Sequence, residues 1–222
     1  YPMVREARAR IAAGEIGSVR KVLVHYAQAG LADARGGWRT DPAQSGVGGC
    51  IADLGTHAFH LAEFVTGQAV VELLADLNSH DGRALDDDGA VLLRLAGGGR
   101  GAIHASQIAF GQRNGLSFQV YGDRGALFWD FDTADQLRLV RGGEVLLLGP
   151  GSPDLMERVP GMRGIGNGLI APFATLYREF AAACDGQAPA ALPGIEAGLR
   201  SMAFVERAVA SSAQGGRWLP IN

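Results

Sequence analysis

The sequence predicts an α+β fold, a large and predominantly antiparallel open sheet with helices on one face and the other face left free. Three observations predict it. Between residues 69 and 148 seven apolar segments follow one another: VVELLADL, AVLLRLA, GAIHASQIAF, LSFQVYG, ALFWDF, QLRLV and EVLLL. Their connections are short, with GGG at 97–99, GDRG at 122–125 and RGG at 141–143. Such turns join antiparallel neighbours, because a parallel crossover takes about a dozen residues or more. Helical periodicity, by contrast, lies outside that block.

Residues 3–13 place Val4, Ala7, Ile11 and Ala12 at helical spacing, with Gly14 and Gly17 marking the end. From Val19 to Ala27 the pattern is that of a strand, with Val22, Val24 and Tyr26 on one face. Residues 30–47 read as a polar, Gly-rich loop around GGWRTDPAQSGVGG. A second helix fits residues 49–66 and ends at Gly67. After the strands, residues 149–168 form a long Gly/Pro loop of a kind that is more often functional or partner-facing than idle. Helices at 169–184 and 194–212 and a short strand at Trp218–Ile221 close the chain. No repeat or linker divides it, so residues 1–222 read as one domain.

Helices at 49–66, 169–184 and 194–212 can shield one face of the sheet. Leu116, Phe118, Val120, Leu127, Trp129 and Phe131 would then leave the other face apolar and open. Such a face predicts a homo-oligomer, a dimer or tetramer packed sheet to sheet. A sandwich closed within one chain is the alternative.

Composition narrows the partners. The 222 residues are 47% hydrophobic and 19% charged, with formal net charge −3 and no basic cluster, which argues against nucleic acid and anionic membranes. No apolar run approaches the length of about 20 residues that spans a bilayer. The opening YPMVREARAR lacks the apolar core of a secretory signal, so a cytoplasmic location is expected. Cys50 and Cys184 are too far apart in sequence to form a metal or redox motif. Lys21 is the only lysine among twenty basic residues, so any lysine-dependent step has one candidate here.

The chemistry concentrates in GVGGCIADLGTHAFHLAEFVTG, residues 46–67. At 100° per residue, Ile51, Leu54, Ala58, Leu61 and Val65 make one stripe, and Asp53, His57 and His60 fall opposite. A carboxylate four residues before an imidazole can fix its tautomer and raise its basicity, as a general acid/base requires. A surface hydrogen bond is the plain alternative. Asp53, His57 and His60 also supply the two-histidine, one-carboxylate set of a metal site, which would make the protein a metal-dependent isomerase or epimerase. Gly55 in mid-helix costs about 1 kcal/mol relative to alanine, so a ligand or another element approaches closely there. Asp86, Asp87 and Asp88 read as a solvated loop, and His25 and His104 as hydrogen-bonded strand residues. His80 falls in a loop. The glycines at 97–99 and 161–168 do not form G-x-G-x-x-G after a strand, so this chain carries no dinucleotide fingerprint.

WRTDP at 38–42, SGVGG at 45–49 and DLGTH at 53–57 together resemble the C-terminal domain of the glucose-fructose oxidoreductase/inositol dehydrogenase/rhizopine-catabolism (Gfo/Idh/MocA) family. ARARIAAGEIGSVRKV, VYGDRGALFWDF, LYREFAAACDG at 176–186 and the closing GLRSMAFVERAVASS extend the likeness over nearly the whole chain. The set WRTDP…GTHAFHLAEFVTG…GQRNGLSFQVYG is most similar to members acting on sugars or anhydrosugars. The resemblance implies an NAD(P)-dependent dehydrogenase of a sugar, anhydrosugar or polyol, with a Rossmann domain before this one and an open sheet packed against other subunits. It makes His57 the residue that moves the hydroxyl proton, and Asp53 the residue that orients it or contacts the sugar. Trp38 and Arg39 would line the substrate pocket, Asn114 would be a further contact, and His60 stands where many relatives differ. The family's catalytic lysine belongs to a Glu-Lys-Pro motif that this sequence lacks, and Lys21 lies in the wrong context to replace it. The resemblance therefore implies the substrate half of an active site. NAD or NADP would bind the full-length enzyme and not this piece alone. A stand-alone, non-catalytic binding or oligomerisation module is the alternative.

Overall fold

The computed structural model describes residues 1–32, 37–80, 82–150, 152, 169–189 and 191–221. The expected Gly/Pro loop at 149–168 falls almost wholly outside them. Nine strands make one sheet: β1 (Val19–Ala27), β2 (Val70–Asn78), β3 (Asp88–Leu95), β4 (Arg100–Ser106), β5 (Gly115–Gly122), β6 (Gly125–Asp130), β7 (Leu137–Arg141), β8 (Glu144–Leu148) and β9 (Leu219–Pro220). Four longer helices accompany it: α1 (Pro2–Ala12), α2 (Thr56–Thr66), α3 (Ile170–Cys184) and α4 (Ile195–Ala213). The fold is α+β with a mostly antiparallel open sheet, as the strand pattern and turns require.

The strand order is β8-β7-β6-β5-β1-β4-β3-β2-β9. Strand β1 lies between β4 and β5, which are consecutive in sequence but not paired. It runs parallel to β4, with Val24 opposite Ile103, and antiparallel to β5, with Val24 opposite Phe118. Residues 107–114 connect β4 to β5, long enough to step across two interstrand spacings of about 5 Å each. All other neighbours are antiparallel.

One face is covered. Helix α2 packs on β1 and β4, α4 on β2, and α1 on β6 and β7. Beneath them Val22, Val24, Leu73, Val91, Leu93, Ile103, Phe118, Val120, Leu127 and Trp129 are buried. This corrects the sequence-based assignment of faces. Phe118, Val120, Leu127 and Trp129 belong to the covered side, because a stripe of that size is stabilised by helices packed on it. The open face is built from the alternate positions, among them Lys21, Leu23, His25, Leu92, His104 and Gln119. A second correction concerns α3, expected as a shield. Its Phe173, Tyr177 and Phe180 are exposed, and it is tied to α1 by the Arg5–Glu179 ion pair at 2.6 Å. Helix α1 takes the covering role instead.

His25 and His104 meet across β1 and β4 on the open face. Their rings are within 14° of parallel with Nδ1 atoms 3.0 Å apart, the hydrogen-bonded arrangement expected for strand histidines. Among the described residues no helix is long and apolar enough to cross a membrane.

Helices α2 and α4 are locked by Phe59 and Phe204, whose rings stack at 4.6 Å and are fully buried or nearly so. Replacing Phe204 by alanine is expected to destabilise the chain by about 3–5 kcal/mol through lost transfer energy and the cavity left behind. Urea unfolding of Phe204→Ala against the parent measures this, and a loss below about 1 kcal/mol would mean the two helices are held by something else.

Candidate active site

The residues of interest lie where one helical run meets the ends of β1 and β4. The run starts at Cys50, makes a π turn over Ile51–Gly55 and continues as α2 to Thr66. Gly67 ends it at φ 66°, in the left-handed region that glycine tolerates. The expected close approach at Gly55 is present: a Cβ there would lie 2.7 Å from Ile51 Cδ1 and 3.3 Å from Phe204. The π turn was not foreseen. It widens the helix by one residue where Asp53 sits, a distortion often found at functional sites.

Asp53 and His57 do not bond to each other. Asp53 Oδ2 accepts a hydrogen bond of 2.7 Å from Gln107 Nε2 and faces Arg39 Nε at 3.8 Å. The Arg39 guanidinium in turn lies over the Trp38 ring at 4.2 Å. Trp38, Arg39, Asp53 and Gln107 line a hollow of about 230 Å³ floored by Gly48 and Gly49. Trp38 is 55% exposed, so the hollow has an open polar and aromatic rim.

His57 and His60 line a separate hollow of about 230 Å³ with Tyr1, Arg5, Phe64 and Trp129. His57 is exposed. Burial pushes the His60 imidazole below its ordinary value, with nearby Glu63 opposing the shift, which favours its neutral form. Tyr1 Oη is buried without a hydrogen-bond partner among the described residues, which leaves this hollow a polar group to offer.

Tyr26, at the end of β1, belongs to both neighbourhoods. Its ring meets His57 edge-on at 5.9 Å between centroids. Its hydroxyl donates to Asn114 Oδ1 at 2.7 Å, and Gln28 Nε2 donates to the same oxygen at 2.8 Å. Burial, and then the negative charge of Asp53, raise the Tyr26 hydroxyl above its usual value, so it stays protonated. Asn114 is thus a partner of the Tyr26 network beside His57.

Sequence reasoning missed Tyr26, Gln28 and Gln107 as site residues. Tyr26 read as a core position, and Gln107 as a strand residue, whereas β4 ends at Ser106. It also misplaced the aspartates at 86–88. Asp87 is fully buried, and Asp86 accepts from the amides of Gly49 and Ile51 at 2.6 and 2.7 Å. They form an anchor, and a solvated loop would bury no carboxylate unpaired. As for a metal, Asp53 faces one hollow while His57 and His60 face another. No group of three or more candidate ligands converges among the described residues.

Residues 4–128 match the family model described as the GFO/IDH/MocA C-terminal domain. The chain belongs to that family. An uncharacterised oxidoreductase of Bacillus subtilis is 29% identical over 98% of this chain and 61% of its own length. A levoglucosan dehydrogenase of Pseudarthrobacter phenanthrenivorans is 25% identical, over 99% of this chain and 64% of its own. An inositol dehydrogenase homologue from Azotobacter vinelandii, solved with NAD+, superposes with a TM-score of 0.87 at 28% identity. It is covered over 62% of its length, and this chain over 99%. The chain therefore spans rather less than two thirds of these oxidoreductases.

The histidines set an acid limit on stability. His25 and His60 both sit below the ordinary 6.5, the first through burial and then His104, the second through burial. As pH falls through about 6.5 the unfolded chain takes up protons that the folded chain resists, so stability declines. Asp86, raised by burial, acts in the opposite sense at lower pH. Urea unfolding at about pH 7.5 and about pH 6 should show the decline, and His60→Gln should flatten it. An equal slope in the variant would exclude His60 as a source.

Proposed function

We propose that this chain is the substrate-binding domain of an NAD(P)-dependent oxidoreductase that oxidises a hydroxyl of a sugar, anhydrosugar or polyol. The observation that carries it is an exposed imidazole, His57, set against the Tyr26 ring near the end of β1, on the same helical run as a carboxylate, Asp53, whose own hollow has an amide donor and an aromatic rim. The relatives named for levoglucosan and inositol bring the substrate class. The oxidised nicotinamide cofactor supplies the hydride acceptor when bound, and the phosphate-cradling glycine motif that would hold it lies outside this sequence. What fits such a group here is the hollow of His57, with the unpartnered Tyr1 hydroxyl in its wall.

His57 takes the hydroxyl proton at a ring nitrogen as the carbinol C–H leaves as hydride and the C–O bond becomes a carbonyl. Asp53, engaged by Gln107 and Arg39, contacts the sugar and does not clamp the His57 ring. Trp38 and Arg39 form the exposed side of the Asp53 hollow, an indole face and guanidinium donors suited to a ring with several hydroxyls. Asn114, held by Tyr26 and Gln28, is a further polar contact beside His57, and His60 adds its imidazole to the His57 hollow. A homodimer or homotetramer packed through the open sheet face accompanies this reading. Leu92 on that face is 47% exposed and stands in a row with Ala102 and then Leu23.

In the complete enzyme, assayed with NAD+ and NADP+ against levoglucosan and myo-inositol, His57→Ala is expected to lower kcat by about 10²–10⁴-fold. A fall of about threefold or less would remove His57 from the acid/base role. The 222-residue chain alone is expected to show no NADH binding by fluorescence titration, and tight binding would contradict the division of the site between two domains.

A further inference from the structure

The start of the helical run that carries Asp53 and His57 is held from outside the run by one residue. Asp86 Oδ1 accepts from Gly49 N–H at 2.6 Å, and Oδ2 from Ile51 N–H at 2.7 Å. The Asp86 carbonyl accepts from Cys50 N–H at 2.8 Å. Three successive amides at a helix start, which have no partners within the helix, are thus satisfied by a single aspartate. A carboxylate also suits the positive end of the helix dipole. The approach is so close that a Cβ on Gly49 would lie 2.2 Å from the Asp86 carbonyl oxygen, which explains the glycine.

The next residue holds the other side of Asp53. Asp87 is fully buried, and its carboxylate receives His80 Nδ1 at 2.9 Å and Arg83 Nη1 at 2.6 Å. Its carbonyl accepts from Gln107 N–H at 2.8 Å, and Gln107 Nε2 is the donor that grips Asp53. Backbone and side-chain placement of Asp53 therefore both trace to the same two residues, though neither touches either hollow's open space.

We propose that Asp86 is a positioning residue of the site, its carboxylate fixing the start of the helical run and through it the placement of Asp53 and His57. The kinetic consequence rests on the oxidoreductase reading, whereas the placement itself does not. Asp86→Asn is the direct test, since the amide keeps the shape but turns an NH2 toward an N–H donor and removes the charge. Asp88→Asn, on the neighbouring residue that begins β3, is the control.

In the complete enzyme with NAD+ and levoglucosan or myo-inositol, Asp86→Asn is expected to lower kcat about tenfold or more, with the NAD+ KM within about twofold. In the chain itself, NMR titration should show the Asp53 carboxyl and His57 imidazole signals moved, and those of His25 and His104 in place. Asp88→Asn should leave Asp53 and His57 unchanged. The proposal is overturned if Asp86→Asn lowers only the melting temperature while kcat and both titrations stay as in the parent. Should Asp86→Asn fail to fold, Asp86→Glu, which keeps the charge on a longer arm, decides by the same signals, and unmoved Asp53 and His57 overturn the idea. If the parent oxidises neither sugar, the oxidoreductase reading loses its support, and the titrations still judge Asp86.

Discussion

The structure depends on the pairing of β1 with both halves of the sheet. Strands β2, β3 and β4 form one antiparallel ladder and β5 to β8 another, and only β1 joins them, parallel to the first and antiparallel to the second. Without that strand each ladder would expose an edge of unpaired amides and carbonyls. The same strand supplies Val22 and Val24 to the core under α2 and brings Tyr26, with Gln28 just past its end, to the site. Pairing, core and site therefore share one segment, and a disturbance of β1 in its register would move all three.

The π turn is the second constraint. In an ordinary α-helix Asp53 and His57 would lie one turn apart on one face, close enough to share a proton. Across the turn Ile51–Gly55 they do not bond, and each side chain has other company: Gln107 and Arg39 for Asp53, the Tyr26 ring for His57. A widened turn is held only where its surroundings over-determine it. Here the Asp86 bonds fix its beginning, and the packing of Gly55 against Ile51 and Phe204 fixes its end.

Much of this was legible in the sequence, because it depends on local pattern. Period-2 alternation and glycine turns located β2 to β8 within a few residues, and helical spacing located the run through Asp53 and His57. What escaped was set by distant contacts. No local signal tells that Val19–Ala27 inserts between β4 and β5, since strand pairing is decided by partners far along the chain. The faces of β5 and β6 were readable and were misread: Ser117, Gln119 and Asp130 mark the outer side, and the large residues between them had to go beneath the helices. Gln107 was taken into a strand that stops one residue earlier. Asp86 and Asp87 look like any acidic loop until their donors, dozens of residues upstream for Asp86, are placed beside them.

The division of the site into two hollows constrains any chemistry done there. Asp53 makes no direct bond to His57, whose imidazole lines a hollow of its own. It lies exposed beside Tyr1 and Arg5, with the edge of Tyr26 behind it. The Asp53 hollow, by contrast, is already organised, its carboxylate held by an amide and a guanidinium before anything binds. A ligand that reached both would meet a carboxylate already engaged by an amide in one hollow and an exposed imidazole in the other.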